Sequence, residues 1–177
     1  MKICWILVLC ALQHVYYVNT TDDLYVTVMS ERSGTEDDDY VAVQCPDGYF
    51  LVGCGIHGFY QDGLQVPHSG TQRCVAYNGG YDPNGVTAEA RCRRRDTDTI
   101  SSVVFEREKI EKGSIANLHC PDGFKVLDCL AYSPWGIRTN WTWADDTEQF
   151  CTSNKSVSKF CSITAICGHF TYIESGM

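Results

Sequence analysis

The chain has 177 residues, eleven cysteines and a net charge of −8. That length allows one large domain or two small ones. The acidic balance argues against nucleic acid and against anionic membrane surfaces as partners, and permits basic or cationic ones.

The chain opens Met1-Lys2-Ile3-Cys4-Trp5-Ile6-Leu7-Val8-Leu9-Cys10-Ala11-Leu12. One basic residue, a short apolar run and a polar stretch by His14 make the pattern of a secretory signal peptide. The run is too short to cross a bilayer as a stable helix, and no later segment is long enough. Residues 1–20 are read as this leader, with cleavage between about Val18 and Thr21. Cys4 and Cys10 leave with it, and nine cysteines remain. That density in a secreted chain points to an oxidising extracellular compartment and to disulfide bonds.

Leu24 to Ser30 alternates and is rich in β-formers, so it reads as a strand. Glu31 to Asp39 is polar and acidic and reads as a turn. Tyr40 to Cys45 returns as a strand, with Val41, Val43 and Cys45 on one face. Cys45-Pro46-Asp47-Gly48 follows. Proline presets φ, aspartate bonds to local backbone and glycine accepts positive φ, so this is a tight turn into a second strand that ends at Cys54. Cys54 to Cys74 is Gly-rich and reads as a long loop or as short strands with loose turns. Asn78-Gly79-Gly80 and Asp82-Pro83-Asn84-Gly85 are turn signals. In the closing strand Val86, Ala88, Ala90 and Cys92 share the inner face, with Thr87, Glu89 and Arg91 outside. Arg93 to Asp98 reads as a charged linker.

The pattern then restarts. Ile100 to Ile110 is β-like, Glu111 to Ser114 turns, and Ile115 to Cys120 leads into Cys120-Pro121-Asp122-Gly123 and Cys129. A long loop runs to Cys151, and Cys161, Ile163, Ala165 and Cys167 line the inner face of the last strand. Cys45, Cys54, Cys74 and Cys92 match Cys120, Cys129, Cys151 and Cys167, with gaps of 8, 19 and 17 residues against 8, 21 and 15. The expected class is therefore all-β: two tandem, small, disulfide-stapled antiparallel sandwich or jelly-roll modules, 21–95 and 96–177. Four cysteines per module allow three pairings. Each bridge contributes roughly 3–4 kcal/mol by loop-closure entropy, which modules of this size need.

Val-x-Cys-Pro-x-Gly-x-x-Leu-x-Gly-Cys from Val43 to Cys54, a Gly-rich loop, a further cysteine and Ala-x-Ala-x-Cys at Ala88 to Cys92 carry a likeness. They resemble the modules of the cysteine- and histidine-rich C-terminal domain of proprotein convertase subtilisin/kexin type nine, and the motif is similar to the resistin head. The resemblance implies non-catalytic jelly-roll modules engaged in protein–protein contacts. It also implies a nested pairing, Cys45–Cys92, Cys54–Cys74, Cys120–Cys167 and Cys129–Cys151.

No G-x-S-x-G, H-E-x-x-H, P-loop or dinucleotide fingerprint occurs. His57, Asp62, His68 and Ser69 are close in sequence but in no recognised catalytic arrangement. The wide cysteine gaps do not suit zinc. The acidic runs Asp37-Asp38-Asp39, Asp96-x-Asp98 and Asp145-Asp146 lack EF-hand spacing, so solvated loops are a plainer reading than weak calcium sites. No metal and no cofactor are expected. Asn19, Asn140 and Asn154 begin glycosylation sequons. Arg91-Cys92-Arg93-Arg94-Arg95 resembles a basic processing site, although a charged linker explains it as well. Trp135, Trp141 and Trp143 make a candidate recognition loop. Cys161 aligns with Val86 and is expected to be a buried free thiol.

The functional expectation is a secreted, non-enzymatic protein-binding module that docks through its long loops on an extracellular protein. The alternative is an acidic structural component of an extracellular or mineral-associated matrix. A monomer is expected, with a covalent dimer through Cys161 as the rival.

Overall fold

A computed structural model describes residues 16–18, 24–58, 61–65, 72–79, 82–95, 99–133, 142–143, 150–153 and 161–171; for 16–18, 61–65 and 142–143 the description is of the backbone. All regular structure among these residues is β-strand. The strands are β1 (Tyr16–Val18), β2 (Tyr25–Met29), β3 (Tyr40–Gln44), β4 (Tyr49–His57), β5 (Gln61–Gln65), β6 (Arg73–Asn78), β7 (Thr87–Arg94), β8 (Ile100–Ile110), β9 (Asn117–His119), β10 (Phe124–Tyr132), β11 (Thr142–Trp143), β12 (Phe150–Thr152) and β13 (Cys161–Phe170).

The internal repeat is carried through to strand order. In the first half β2-β7-β4 form one sheet and β3-β6-β5 another; in the second half the matching sets are β8-β13-β10 and β9-β12-β11. All pairs are antiparallel. The two Pro-Asp-Gly turns close alike. Tyr49 N–H donates to the Pro46 carbonyl at 3.2 Å and Phe124 N–H to the Pro121 carbonyl at 3.0 Å. Gly48 and Gly123 sit at φ 84° and 82°, which a side chain would strain. Each hairpin strand that follows carries a bulge at the same place, between Leu51 and Gly53 in β4 and between Val126 and Asp128 in β10.

The bridges are Cys45–Cys92, Cys54–Cys74, Cys120–Cys167 and Cys129–Cys151. They nest within each half and tie its two sheets together. Cys161 is a free cysteine, 3 % exposed, at the place where the first half has Val86.

The halves also share material. β5 pairs with β10 at Gly63 and Tyr132, so β3-β6-β5 and β10-β13-β8 run on as one six-stranded sheet. Across this seam Tyr40 lies opposite Tyr77, Tyr77 opposite Gly63, and Gly63 opposite Tyr132. The Tyr77 and Tyr132 rings meet edge to face at 4.9 Å, a favourable aromatic geometry over a residue without a side chain. The second half has a core of its own around Ile110, Val126, Ile163 and Ala165. The core of the first half, with Val28, Leu51, Ala88 and Ala90, takes in Leu130 and Ile166 of the second.

One expectation is corrected here. Arg93 and Arg94 are not linker but the end of β7, paired to β2 on one side and β4 on the other. β13 is buried on both faces: Ser162, Thr164 and Ile166, on the face opposite Ile163 and Ala165, are buried as well, and Ile166 joins the core of the first half. Asp96 and Asp98 lie outside the described residues.

Candidate functional site

β7 sends Ala88, Ala90 and Cys92 into the core and Thr87, Glu89, Arg91 and Arg93 to the other side. β4 lies beside it with small residues in line. A Cβ on Gly53 would come within 2.7 Å of Arg91 Nε, so glycine there is what lets the guanidinium lie across the strand. Polar groups then link up along the face. His57 Nε2 sits 2.9 Å from Glu89 Oε2, and Arg91 Nε 3.9 Å from Glu89 Oε1. Arg91 donates to the Cys54 carbonyl at 3.0 Å and to Asp128 Oδ2, in the second half, at 2.7 Å.

Asp128 also accepts the Cys54 N–H at 2.9 Å and the Cys129 N–H at 3.0 Å. Burial pushes its carboxyl up from the ordinary value; the Cys54 hydrogen bond and the Arg91 charge oppose this without cancelling it. The folded chain therefore holds this proton more tightly than the unfolded chain. The resulting stability is fully present below the unfolded carboxyl pKa and is lost as pH rises through the raised folded value. Thermal melts of the wild type against Asp128→Asn should show the wild type's relative stability falling between acid and neutral pH. A relative stability that instead rises with pH would contradict a desolvated carboxyl.

Toward the end of β7 the face changes character. Tyr25, Arg93 and Phe50 stand in register across β2, β7 and β4. The Arg93 guanidinium lies 5.2 Å from the Tyr25 ring centroid, donates to the Tyr25 hydroxyl at 2.8 Å and also bonds the Thr99 hydroxyl. The Arg95 guanidinium lies 4.8 Å from the Phe50 ring centroid, and its Nε donates to the Tyr49 carbonyl at 3.0 Å. Rings and cations thus alternate as Tyr25, Arg93, Phe50, Arg95. The ring contact and these hydrogen bonds hold each guanidinium in place, which suits it to receive a carboxylate or another oxyanion. Tyr25 is 45 % exposed.

The matching face of the second half has other chemistry. Strand register sets Ile166 where Arg91 stands, Gly168 where Arg93 stands, Phe105 for Thr27 and Val103 for Tyr25. There Val103, Phe105 and Leu127 pack with Leu130 and Ile166 against the core of the first half. One face of this sheet is thus an apolar contact surface inside the molecule, while its counterpart is open, basic and aromatic.

The backbone of the arginines that resembled a processing site is held by hydrogen bonds. Arg94 N–H donates to the Leu24 carbonyl at 2.9 Å and Arg95 N–H to the Gly48 carbonyl at 2.8 Å, so this backbone is not available to a protease in extended form. His119 stacks on Phe150 at 5.0 Å while the neighbouring Cys120 is bridged. Among the described residues no group of three or more His, Cys, Asp or Glu is placed to hold a metal ion. Asp39 Oδ2 accepts the Glu36 N–H at 2.9 Å, which spends one carboxylate of that acidic run on turn formation. Trp143 is placed in β11 opposite Cys151; its side chain, Trp135, Trp141, Asn19, Asn140, Asn154, His68, Ser69, Asp145 and Asp146 lie outside the described residues. A sequence signal for the basic face was present in Arg91, Arg93 and Arg95 at alternate positions, but Tyr25 and Phe50 stand far from them along the chain. A scan against protein-family models finds no match, and no curated protein matches the chain.

Proposed function

We propose that the protein is a secreted, non-catalytic binding module that holds an extracellular protein on the open face of β2, β7 and β4. The observation that carries this reading is the row Tyr25, Arg93, Phe50 and Arg95, set on an open face whose counterpart in the other repeat is a buried contact surface. The composition of the chain permits a basic partner; this strip instead suits an anionic patch, with carboxylates seated on the stacked guanidiniums. Four disulfides accord with an oxidising environment. No helix among the described residues is long and apolar enough to cross a membrane. Protein contact without catalysis is also what the resemblance to the convertase modules implies. Trp135, Trp141 and Trp143, in the sequence between Cys129 and Cys151, would add anchors.

The test compares wild type with Arg95→Glu in affinity capture from the native secretion. Arg95 is exposed, so the variant, which loses the Phe50 contact and the Tyr49 hydrogen bond, should stay folded and melt within about 2 kcal/mol of wild type. Capture should fall by about tenfold, as for a reversed charge at a complementary contact. Undiminished capture by a folded Arg95→Glu would remove this face from the function.

A further inference from the structure

Tyr16-Tyr17-Val18 lies within the leader, and it is also strand β1. It pairs along β2 with Tyr16 opposite Met29, Tyr17 opposite Val28 and Val18 opposite Thr27. Among the described residues the second half has no such strand: β8, the match of β2, ends its sheet. Once residues up to Val18 are removed, the outer N–H and C=O groups of Thr27 to Met29 lose these partners. An unpaired edge of this kind is a template for another strand.

The two matching edges are guarded differently. β8 carries Glu106, Arg107, Glu108 and Lys109. Glu106 and Glu108 lie opposite Ala165 and Ile163 on one face; Arg107 and Lys109 lie opposite Thr164 and Ser162 on the other. Two β8 strands paired antiparallel through this stretch would set acid against acid and base against base, so that edge repels its own copy. β2 reads Tyr-Val-Thr-Val-Met and has no charge.

β2 is also self-complementary. A twofold axis normal to the sheet at Thr27 sets Thr27 against Thr27 of a second copy, Val26 against Val28, and Tyr25 against Met29. Faces agree, since Val26 and Val28 belong to the core cluster and Tyr25, Thr27 and Met29 alternate with them. In this register Tyr25-Val26-Thr27 of the second copy takes the places that Tyr16-Tyr17-Val18 fill on β2.

We propose that removal of the leader uncovers β2 and that two mature chains join there, β2 to β2, forming one sheet in the order β4-β7-β2-β2-β7-β4. The proposal rests on the secreted reading for removal of the leader. It deepens that reading, because the two basic aromatic rows then lie on one continuous face and can engage an anionic partner twice.

The test is N-terminal sequencing and sedimentation of the secreted protein, beside a refolded chain begun at Thr21. Cys161→Val is included in every sample, so that no covalent dimer contributes. The expected result is an N-terminus beyond Val18 and a reversible dimer from both sources. Thr27→Glu sets two carboxylates against each other at the twofold, while in the monomer the new side chain stands beside Arg91. It should weaken dimerisation by about tenfold or more with the melting temperature of the monomer kept. A chain that retains Tyr16 to Val18 should be monomeric. An N-terminus upstream of Tyr16 would overturn both the leader reading and the proposal. An N-terminus beyond Val18 with a monomer in both sources would overturn the dimer alone. A dimer unchanged by Thr27→Glu would place the contact elsewhere and overturn it too.

Discussion

Ile166→Arg is expected to unfold both halves of the chain in one transition, or to prevent folding. Arginine is what the first repeat has at the matching place, Arg91, where it is tolerated because that face is open. Ile166 is 0 % exposed and belongs to the cluster that holds Val28, Leu51 and Ala88 of the first half. An unpaired buried charge costs several kcal/mol, and a domain of this kind has on the order of 5–15 kcal/mol in total. Denaturant melts followed by near-ultraviolet circular dichroism and by exchange of amides in β7 and β13 would report the two halves separately. Loss confined to β13 would show that the first half does not depend on the shared core. The reverse change, Arg91→Ile, should cost only about 1–3 kcal/mol, because it takes one charged donor from Asp128 and leaves the two backbone donors.

Removing Cys45–Cys92 by a double change to alanine is expected to cost about 4 kcal/mol, and removing Cys54–Cys74 about 3 kcal/mol, from the entropy of the loops they close. The separations are 47 and 20 residues. In the second half Cys120–Cys167 and Cys129–Cys151 close loops of 47 and 22, so the entropic losses there should be nearly the same. Each half has little core, and Cys45–Cys92 joins the start of one strand pair to the closing strand, so the outer bridges should matter more. Urea midpoints of the two double variants would check the order. A loss below about 1 kcal/mol for the Cys45 and Cys92 pair would mean that the unfolded chain is already restrained without the bridge.

Much of this fold was legible because its causes are local. Alternation in Tyr40 to Cys45 and in Val86 to Cys92 follows from the two-residue period of a strand. The Pro-Asp-Gly turns are set by three adjacent residues. Strand order in both halves follows one plan because the two stretches repeat the same turns and cysteines. The place of Cys161 followed from aligning one closing strand on the other. The leader was harder: the same local signals fit Tyr16 to Val18 as the end of a leader and as a strand.

The rest needed residues that are distant in the chain. Nothing near Ser162, Thr164 and Ile166 marks that face as buried; the first half, packing on it, decides that. Asp128 looks like one more surface acid until Cys54 and Arg91 arrive across the junction. Arg93 to Arg95 have the charge density of a linker, and only pairing with β2 and β4 sets Arg93 against Tyr25 and Arg95 against Phe50. Gly63 reads as loop until Tyr77 and Tyr132 close over it. The sequence by itself determined the strands that flank the two Pro-Asp-Gly turns and the closing strands, with the turns, the repeat and the inward faces, since backbone preference and side-chain period act between near neighbours. Only the tertiary structure decided which outer face is buried and which is open, since burial depends on what packs across a surface, and that comes from the other half of the chain.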